Sequence, residues 1–306
     1  MTIQNIAGTI NTGSAPRLLW PGVETIWGES YKDHDAYYRK LFAIKTSDKA
    51  YELGVEESGF GLAPVKPEGE SVRYDSAKTL GDVKTRNMSY GLGYVITEEA
   101  IEDNLYGDQV EKFTRALAKS MMATKEYKGA LKFCNNDTTA DGVALFATSH
   151  KALSGTQANL LSTPAALSMA SVEDVLIMIS EAKDNRGKPV LLKGQGLVVA
   201  PQNYFRALQI TNSFLNPDTT GSNAVNPLFD YFKEGTVANP YFAGYNDALW
   251  FVKTDADDAF VHYVRKPIEI SRDGEFDTNN LKVKAHERYS YAFYDWRGAF
   301  AGKVSA

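Results

Sequence analysis

The stretch from Thr97 to Cys134 constrains this chain more than any other. Apolar residues at Tyr106, Val110, Phe113, Leu117, Met121, Tyr127, Leu131 and Cys134 recur mostly at spacings of three and four. That is one apolar stripe on a long amphipathic helix. Thr97 stands where an N-cap belongs. Glu98, Glu99, Glu102 and Asp103 put negative charge in the first turn, where the helix dipole favours it. The opposite face carries Lys112, Arg115, Lys119, Glu126 and Lys132. Unbroken, such a helix runs on the order of 50 Å, longer than most globular helices. Gly107 and Gly129 are its candidate bends or ends. A strand leads straight into it: Met88, Tyr90, Leu92, Tyr94 and Ile96 alternate with Ser89, Gly91, Gly93 and Val95.

The whole chain is long enough, at 306 residues, for a large core and one to three domains. Its formal charge of −5 argues against a dedicated nucleic-acid binder, whose footprint is usually basic. The single cysteine, Cys134, excludes an intrachain disulfide and fits a reducing compartment. On the apolar side of the helix, with no basic neighbour in sequence, it reads as a core residue rather than a nucleophile. No apolar run is long enough to span a bilayer. Met1 to Pro16 lacks the basic start and apolar centre of a signal peptide. The expectation is a soluble protein made in the cytoplasm, with no membrane partner. Its 17 Tyr, 15 Phe and 4 Trp suit both a core and large subunit interfaces.

Taken in order, residues 1–19 are small and polar, with Ile3, Ile6 and Ile10 spaced through Asn, Thr, Gly and Ser, and read as an extended arm. From Trp20 to Phe42 the aromatics Trp27, Tyr31, Tyr37, Tyr38 and Phe42 point to anchoring in a core. Tyr51 to Asn87 is broken by Gly54, Gly59, Gly61, Pro64, Pro67, Gly69 and Gly81. It reads as a long two-stranded excursion with little core of its own, a loop that is functional or held by a partner. After the helix, Asn135 to Thr139 is a loop where a new domain can begin. Val143 to Ala147 reads as a short apolar strand. Ser171 with Asp174 is a capping pair for a helix with Val172, Val175, Leu176, Ile179 and Ala182 on its apolar face, stopped by Gly187 and Pro189. Leu197 to Ala200 is a buried strand, and Pro201 opens a helix carrying Tyr204, Phe205 and Leu208. Asn212 to Pro227 is a long surface loop. Leu249 to Val252 and Phe260 to Val264 read as paired strands, and the alternations at Leu281, Val283, Ala285 and at Tyr289, Tyr291, Phe293 as closing strands that return to the first domain.

No enzyme constellation emerges. Asp33-His34-Asp35 are chain neighbours, which do not converge on one point, so they read as a solvated patch. Gly91-Leu92-Gly93 lies inside a strand and lacks the third glycine of a dinucleotide loop. Gly187-Lys188 has no glycine five positions upstream and is not a P-loop. Asp255, Asp257 and Asp258 lack the central Gly and closing Glu of a calcium loop and read as a turn. His150 has no spaced second ligand and reads as structural. The expectation is no catalytic residue, no cofactor-binding residue, no metal site and no enzyme activity.

The order of motifs resembles the major capsid proteins of tailed phages, the Hong Kong 97-type fold, and especially the Mu-like head subunits. Ser89-Tyr90-Gly91-Leu92-Gly93-Tyr94-Val95-Ile96-Thr97-Glu98-Glu99-Ala100 is similar to that family's junction of strand and spine helix. Asp141-Gly142-Val143-Ala144-Leu145-Phe146 followed by His150 is similar to the start of its axial domain. Leu197 to Pro201, Trp250-Phe251 and Asp295-Trp296-Arg297-Gly298 follow in the family's order.

The resemblance implies an α+β fold: an N-terminal arm at 1–19, a peripheral domain from 20–50, 88–140 with the spine helix and 265–306 with return strands, an extended loop at 51–87 and an axial α/β domain at 141–264. It implies hexamers and pentamers of this chain tiling an icosahedral head that encloses the double-stranded DNA of a tailed phage, with portal and scaffold proteins and, in some members, decoration proteins as partners. Localisation would be the virion, and the host cytoplasm before assembly. With no fused helical scaffold segment at its start, the chain would be processed already or served by a separate scaffold. Some members crosslink a loop lysine to a neighbour's asparagine; Lys66 and Lys78 lie in the excursion but read as solvated charges. An encapsulin-like nanocompartment shell shares the fold and is the first alternative, and a cytoplasmic α/β enzyme the second.

Overall fold

The computed structural model describes residues 27–28, 36–97, 106–216, 224–274 and 280–304. The arm at 1–19, the Asp33-His34-Asp35 cluster, the acids at 98, 99, 102 and 103 and the side chain of Tyr106 lie outside the described residues. In chain order the elements are α1 (Tyr37–Leu41), β1 (Ala43–Thr46), β2 (Tyr51–Glu57), β3 (Thr79–Arg86), β4 (Met88–Ile96), α2 (Tyr106–Cys134), β5 (His150–Ala152), β6 (Gly155–Gln157) and α3 (Met169–Ser180). There follow β7 (Gly194–Val199), α4 (Tyr204–Asn212), β8 (Gly235–Ala238), β9 (Trp250–Thr254), β10 (Phe260–Gly274), β11 (Leu281–Phe293) and β12 (Ala299–Lys303). One sheet has the order β1-β10-β11-β4 and another β12-β9-β7-β8; β2 with β3 and β5 with β6 form two-stranded ribbons.

The chain divides into two units. The first comprises residues 1–36, 88–126 and 264–289. In it β4 pairs antiparallel with β11, from Met88 opposite Tyr289 to Ile96 opposite Leu281. Leu117, Ala118 and Met121 of α2 bury against Trp27 and Ala285, with Tyr90, Tyr94, Ile268 and Ile270 around them. The Tyr94 hydroxyl lies 2.8 Å from the Thr114 hydroxyl. Lys125 pairs with Glu287 at 2.6 Å, both side chains nearly excluded from water; burial pushes the Glu287 carboxyl up, and the Lys125 charge only partly offsets it. The Gly-Leu-Gly run serves strand packing as expected: a Cβ on Gly93 would lie 2.6 Å from the Val283 carbonyl oxygen.

The second unit comprises 37–87, 127–263 and 290–306. Its main sheet is antiparallel except for β7 with β8. Fully buried Phe133, from the last turn of α2, stacks on Phe251 at 5.0 Å and meets Phe260 edge-on at 5.3 Å. Phe42 packs on Phe133, Tyr291 and Phe293. Gly129 lets α2 approach this cluster, since a Cβ there would sit 3.2 Å from the Tyr291 ring.

Helix α2 spans 29 residues, about 43 Å, and continues through Gly107 and Gly129. Its buried side is Val110, Thr114, Leu117, Ala118, Met121, Met122, Lys125, Glu126, Ala130 and Phe133. Two expectations are corrected. Phe113 is exposed, and Glu126 is buried rather than on the polar face. At 113 the apolar residue stands one position before the buried Thr114. From Met121 the apolar count jumps six residues to Tyr127, past the buried Lys125 and past Glu126, which polarity had assigned to the outer face. Phe133 is then the core residue, and Tyr127, Leu131 and Cys134 flank it half-buried.

Four local expectations also change. Residues 143–147 form no strand: the amides of Phe146 and Ala147 bond to the side-chain oxygens of Asn136 and Asn159, in place of a neighbouring strand. The cap of α3 is Ser168, closed into a capping box by Ser171, one turn earlier than read, and the helix ends at Glu181 before Gly187. Pro201 opens a short 3-10 turn before α4, whose buried residues are Ala207, Ile210 and Thr211, while Phe205 is exposed. Strands β9 and β10 are not paired but belong to different sheets; the turn between them, with Asp258 at φ 53, turns the Ala259 carbonyl to the Tyr294 amide. No helix among the described residues is long and apolar enough to cross a membrane.

Candidate subunit interface

Strands β2 and β3 form the excursion read from the sequence. They pair antiparallel with Tyr51 opposite Arg86, Leu53 opposite Lys84 and Val55 opposite Asp82. Because side chains alternate across a strand, Tyr51, Leu53 and Val55 share one face and Glu52, Gly54 and Glu56 the other. The first face is open to water, with Leu53 55% exposed. Lys84 lies over the Tyr51 ring at 3.9 Å. Beyond the strands Phe60, Leu62, Val65, Val72 and Tyr74 are also exposed, Val65 by 93%. A run of exposed apolar side chains on one projection is the mark of an interaction surface. The segment has little core of its own, as expected, because its apolar residues are turned outward.

The inner face is held by polar contacts and close backbone approach. A Cβ on Gly81 would lie 2.0 Å from the Ala140 carbonyl oxygen, and one on Gly54 2.0 Å from the Tyr294 ring. Asn185 donates to Glu56 Oε1 at 2.9 Å and accepts from Arg297 Nη2 at 2.8 Å. Arg297 also donates to the Lys183 carbonyl at 2.9 Å and to Asp295 at 3.1 Å, and its Nη1 lies 3.6 Å from Glu56. Its guanidinium covers the Trp296 ring at 4.3 Å. Burial pushes the Glu56 carboxyl above its ordinary range, against the Asn185 hydrogen bond and the Arg297 charge, with Asp295 and Asp141 adding to the rise.

Beside this base sits a second buried polar cluster. His150 is wholly buried, its Nδ1 donating to Asp141 Oδ2 at 2.7 Å and its Nε2 facing the Leu145 carbonyl and Asn159 Oδ1. Asn159 ties the carbonyls of Leu145, Trp296 and Ala299 together. Both ring nitrogens are engaged by protein groups and the ring stacks on Trp296. Cys134 is half-buried, and burial pushes its thiol up to about 11, so it is a poor nucleophile.

The remaining candidates do not converge. Asp255 accepts the Lys193 amide at 2.8 Å and Asp258 pairs with Lys45 at 2.5 Å, as a turn would. No group of three or more metal-ligating side chains occurs among the described residues. Gly187 and Lys188 belong to a tight turn, in which Asp184 accepts the amides of Arg186 and Lys188. The contributions of Asn159, Asn185 and Arg186 were not read from the sequence. Asp184-Asn185-Arg186-Gly187 has the composition of a turn, but its partners lie more than a hundred residues away.

A two-stranded excursion, one long helix packed on a sheet and a second sheet unit make up the Hong Kong 97-type capsid fold. The chain belongs to the phage capsid protein family, which matches residues 82–302. It is a major capsid protein, a structural component of the virion and not an enzyme. Solved structures share the fold. The virus-like particle from Pyrococcus furiosus is 7% identical, covering 92% of this chain and 97% of its own, with a TM-score of 0.56. Mycobacterium phage Che8 is 13% identical, covering 87% and 90%, with a TM-score of 0.52. The capsid of bacteriophage JBD30, decorated with minor capsid protein trimers, is 14% identical, covering 67% and 90%, with a TM-score of 0.52. No curated protein sequence matches the chain. The family match favours a phage head over an encapsulin-like compartment.

Proposed function

We propose that this chain self-assembles as hexamers and pentamers into the closed icosahedral head of a tailed phage and encloses its double-stranded DNA there. In this reading residues 1–19 are an arm, 20–50, 88–140 and 265–306 the peripheral domain, 51–87 the extended loop and 141–264 the axial domain at the capsomer centre. Subunits assemble in the host cytoplasm with portal and scaffold proteins. Decoration proteins are further candidate partners, by analogy with the minor capsid protein trimers on the JBD30 capsid. DNA is met by non-specific proximity: a subunit of net charge −5 has little general affinity for packaged phosphate.

The observation that carries this reading is the outward face of Tyr51, Leu53 and Val55. Apolar area left in water on a thin ribbon gains about 25 cal/mol per Å² once covered, and a second copy of the chain supplies the cover. Many such contacts per subunit add through multivalency. Sedimentation and negative-stain microscopy of the purified protein, alone and with its scaffold, test the proposal. Closed particles or capsomer rings are expected; monomer alone at every salt and protein concentration, with scaffold present, rejects it.

A further inference from the structure

The hairpin formed by β2 and β3 is gripped at several levels by one five-residue loop, Asp184 to Lys188. At the base, Asn185 bonds Glu56 Oε1 at 2.9 Å. Further out, Arg186 donates from Nη2 to the Ser76 carbonyl at 2.6 Å and pairs through Nη1 with Asp75 at 3.1 Å. Lys188 donates to the Phe60 carbonyl at 2.6 Å. Phe60 lies on the outgoing limb of the hairpin and Asp75 and Ser76 on the returning one, so the two cations hold both limbs. Asp75 joins the limbs directly, because its carboxylate accepts the amides of Gly61 and Ser76 at 2.8 and 2.9 Å.

The loop is built to be stiff. Asp184 accepts the amides of Arg186 and Lys188 at 2.8 and 2.9 Å and pairs with the Lys188 ammonium at 3.1 Å. The Asp184 amide reaches the Lys188 carbonyl at 2.7 Å. Gly187 takes a φ of +85 that a side chain rarely tolerates, with the Ser154 Cβ close by. Gln157 of β6 donates to the Asp184 carbonyl at 3.0 Å, and the Ser154 amide to that of Asn185. A rigid support carrying one amide and two cations, each bonded to the hairpin, fixes where the hairpin points.

We propose that the 184–188 loop is the positioning element of the hairpin: Arg186 and Lys188, with Asn185 at the base, set its direction within the subunit, before a second copy covers its apolar face. From the sequence this segment reads as a loop that is functional or held by a partner. Its apolar residues do face outward; what orients it inside the chain is polar. The advantage is preorganisation, since a projection already aimed loses less conformational freedom on docking.

The test uses the full chain and the double variant Arg186→Ala/Lys188→Ala, with Arg186→Lys as the conservative comparison. Amide exchange is followed at Gly61 and Ser76 and, as a control, along α2. In the double variant the two hairpin amides are expected to exchange roughly tenfold faster, with α2 and the urea midpoint unmoved, and fewer closed particles are expected to form. Arg186→Lys, which keeps the charge and one contact, recovers part of the protection, as a positioning role requires. Unchanged exchange at Gly61 and Ser76 overturns the proposal, and so does wild-type assembly by a double variant with a loosened hairpin. The assembly readout rests on the capsid function; if the wild-type chain forms no particles, that function falls, while the exchange comparison still decides the clasp.

Discussion

The imidazole of His150 lies flat on the indole of Trp296, ring centroids 4.4 Å apart and planes 9° from parallel. The two sit 146 residues apart in the chain, and Asn159 bonds to the Trp296 carbonyl to close the arrangement. Both rings are buried. The stack therefore joins the first residue of β5 to the 3-10 turn, Trp296–Gly298, that leads into β12.

His150→Phe separates the two parts of this contact. The substitution keeps a flat ring on Trp296 but removes the donor to Asp141, whose side chain is almost fully buried. A buried carboxylate losing a partner costs about 1–3 kcal/mol. Urea unfolding of the isolated subunit is expected to show a loss of that size. A loss below about 0.5 kcal/mol means that stacking alone matters.

The same carboxylate gives an acid-side prediction. Burial alone raises the Asp141 carboxyl, but hydrogen bonds from His150, Thr139 and the Val143 amide, with attraction from His150, outweigh it and hold it below the ordinary range. A depressed folded pKa contributes stability that is full above the unfolded value, about 3.9, and is lost as pH falls through the folded value. Asp141→Asn is thus expected to be less stable than wild type at pH 7, with the difference closing below about pH 4. A stability difference that stays constant from pH 7 to pH 3 refutes the assignment.

What the sequence disclosed and what it hid follow from the range of each interaction. Strand β4 was legible to the residue because alternation is local, and so was the existence of α2 and of the hairpin. The face of α2 was misread at Phe113, where Thr114 is the buried residue, and again after Met121, and Phe133 rather than Cys134 became its last core residue. Residues 143–147 looked like a strand, yet the amides of Phe146 and Ala147 go to the side chains of Asn136 and Asn159, which no local pattern encodes. Arg297 was visible only as part of a landmark; its link to Asn185 spans 112 positions.

The corrected face of α2 can be checked by a pair of substitutions. Leu117 is 5% exposed and Phe113 48%. Leu117→Ala is expected to cost about 2–5 kcal/mol, as a buried leucine does, and Phe113→Ala within about 0.5 kcal/mol. Denaturant unfolding of both variants decides; equal losses put the helix in a different rotation.

Gly81 tests how the hairpin meets its support. An added Cβ would sit 2.0 Å from the Ala140 carbonyl oxygen, and that neighbour is backbone, so no side chain can swing away. Gly81→Ala is expected to destabilise by about 1–3 kcal/mol and to speed amide exchange in β3 selectively. Gly59→Ala acts by another route, since its φ is +62 and open space surrounds it; there the cost is backbone strain of about 1 kcal/mol. A neutral Gly81→Ala would show that β3 does not rest on Ala140.

The outward face of the hairpin carries the strongest prediction. Leu53 and Val55 touch water in the subunit and lie opposite Lys84 and Asp82. Leu53→Lys/Val55→Lys should leave the urea midpoint within about 0.5 kcal/mol of wild type, because neither side chain is buried in the subunit. Covering the face with a second copy would then bury two charges in an apolar contact without partners, which costs several kcal/mol per ion. Sedimentation is expected to show soluble, folded subunits that no longer form closed particles. Normal particles from the double variant would mean that this face stays wet in the shell and that another surface of the chain drives assembly.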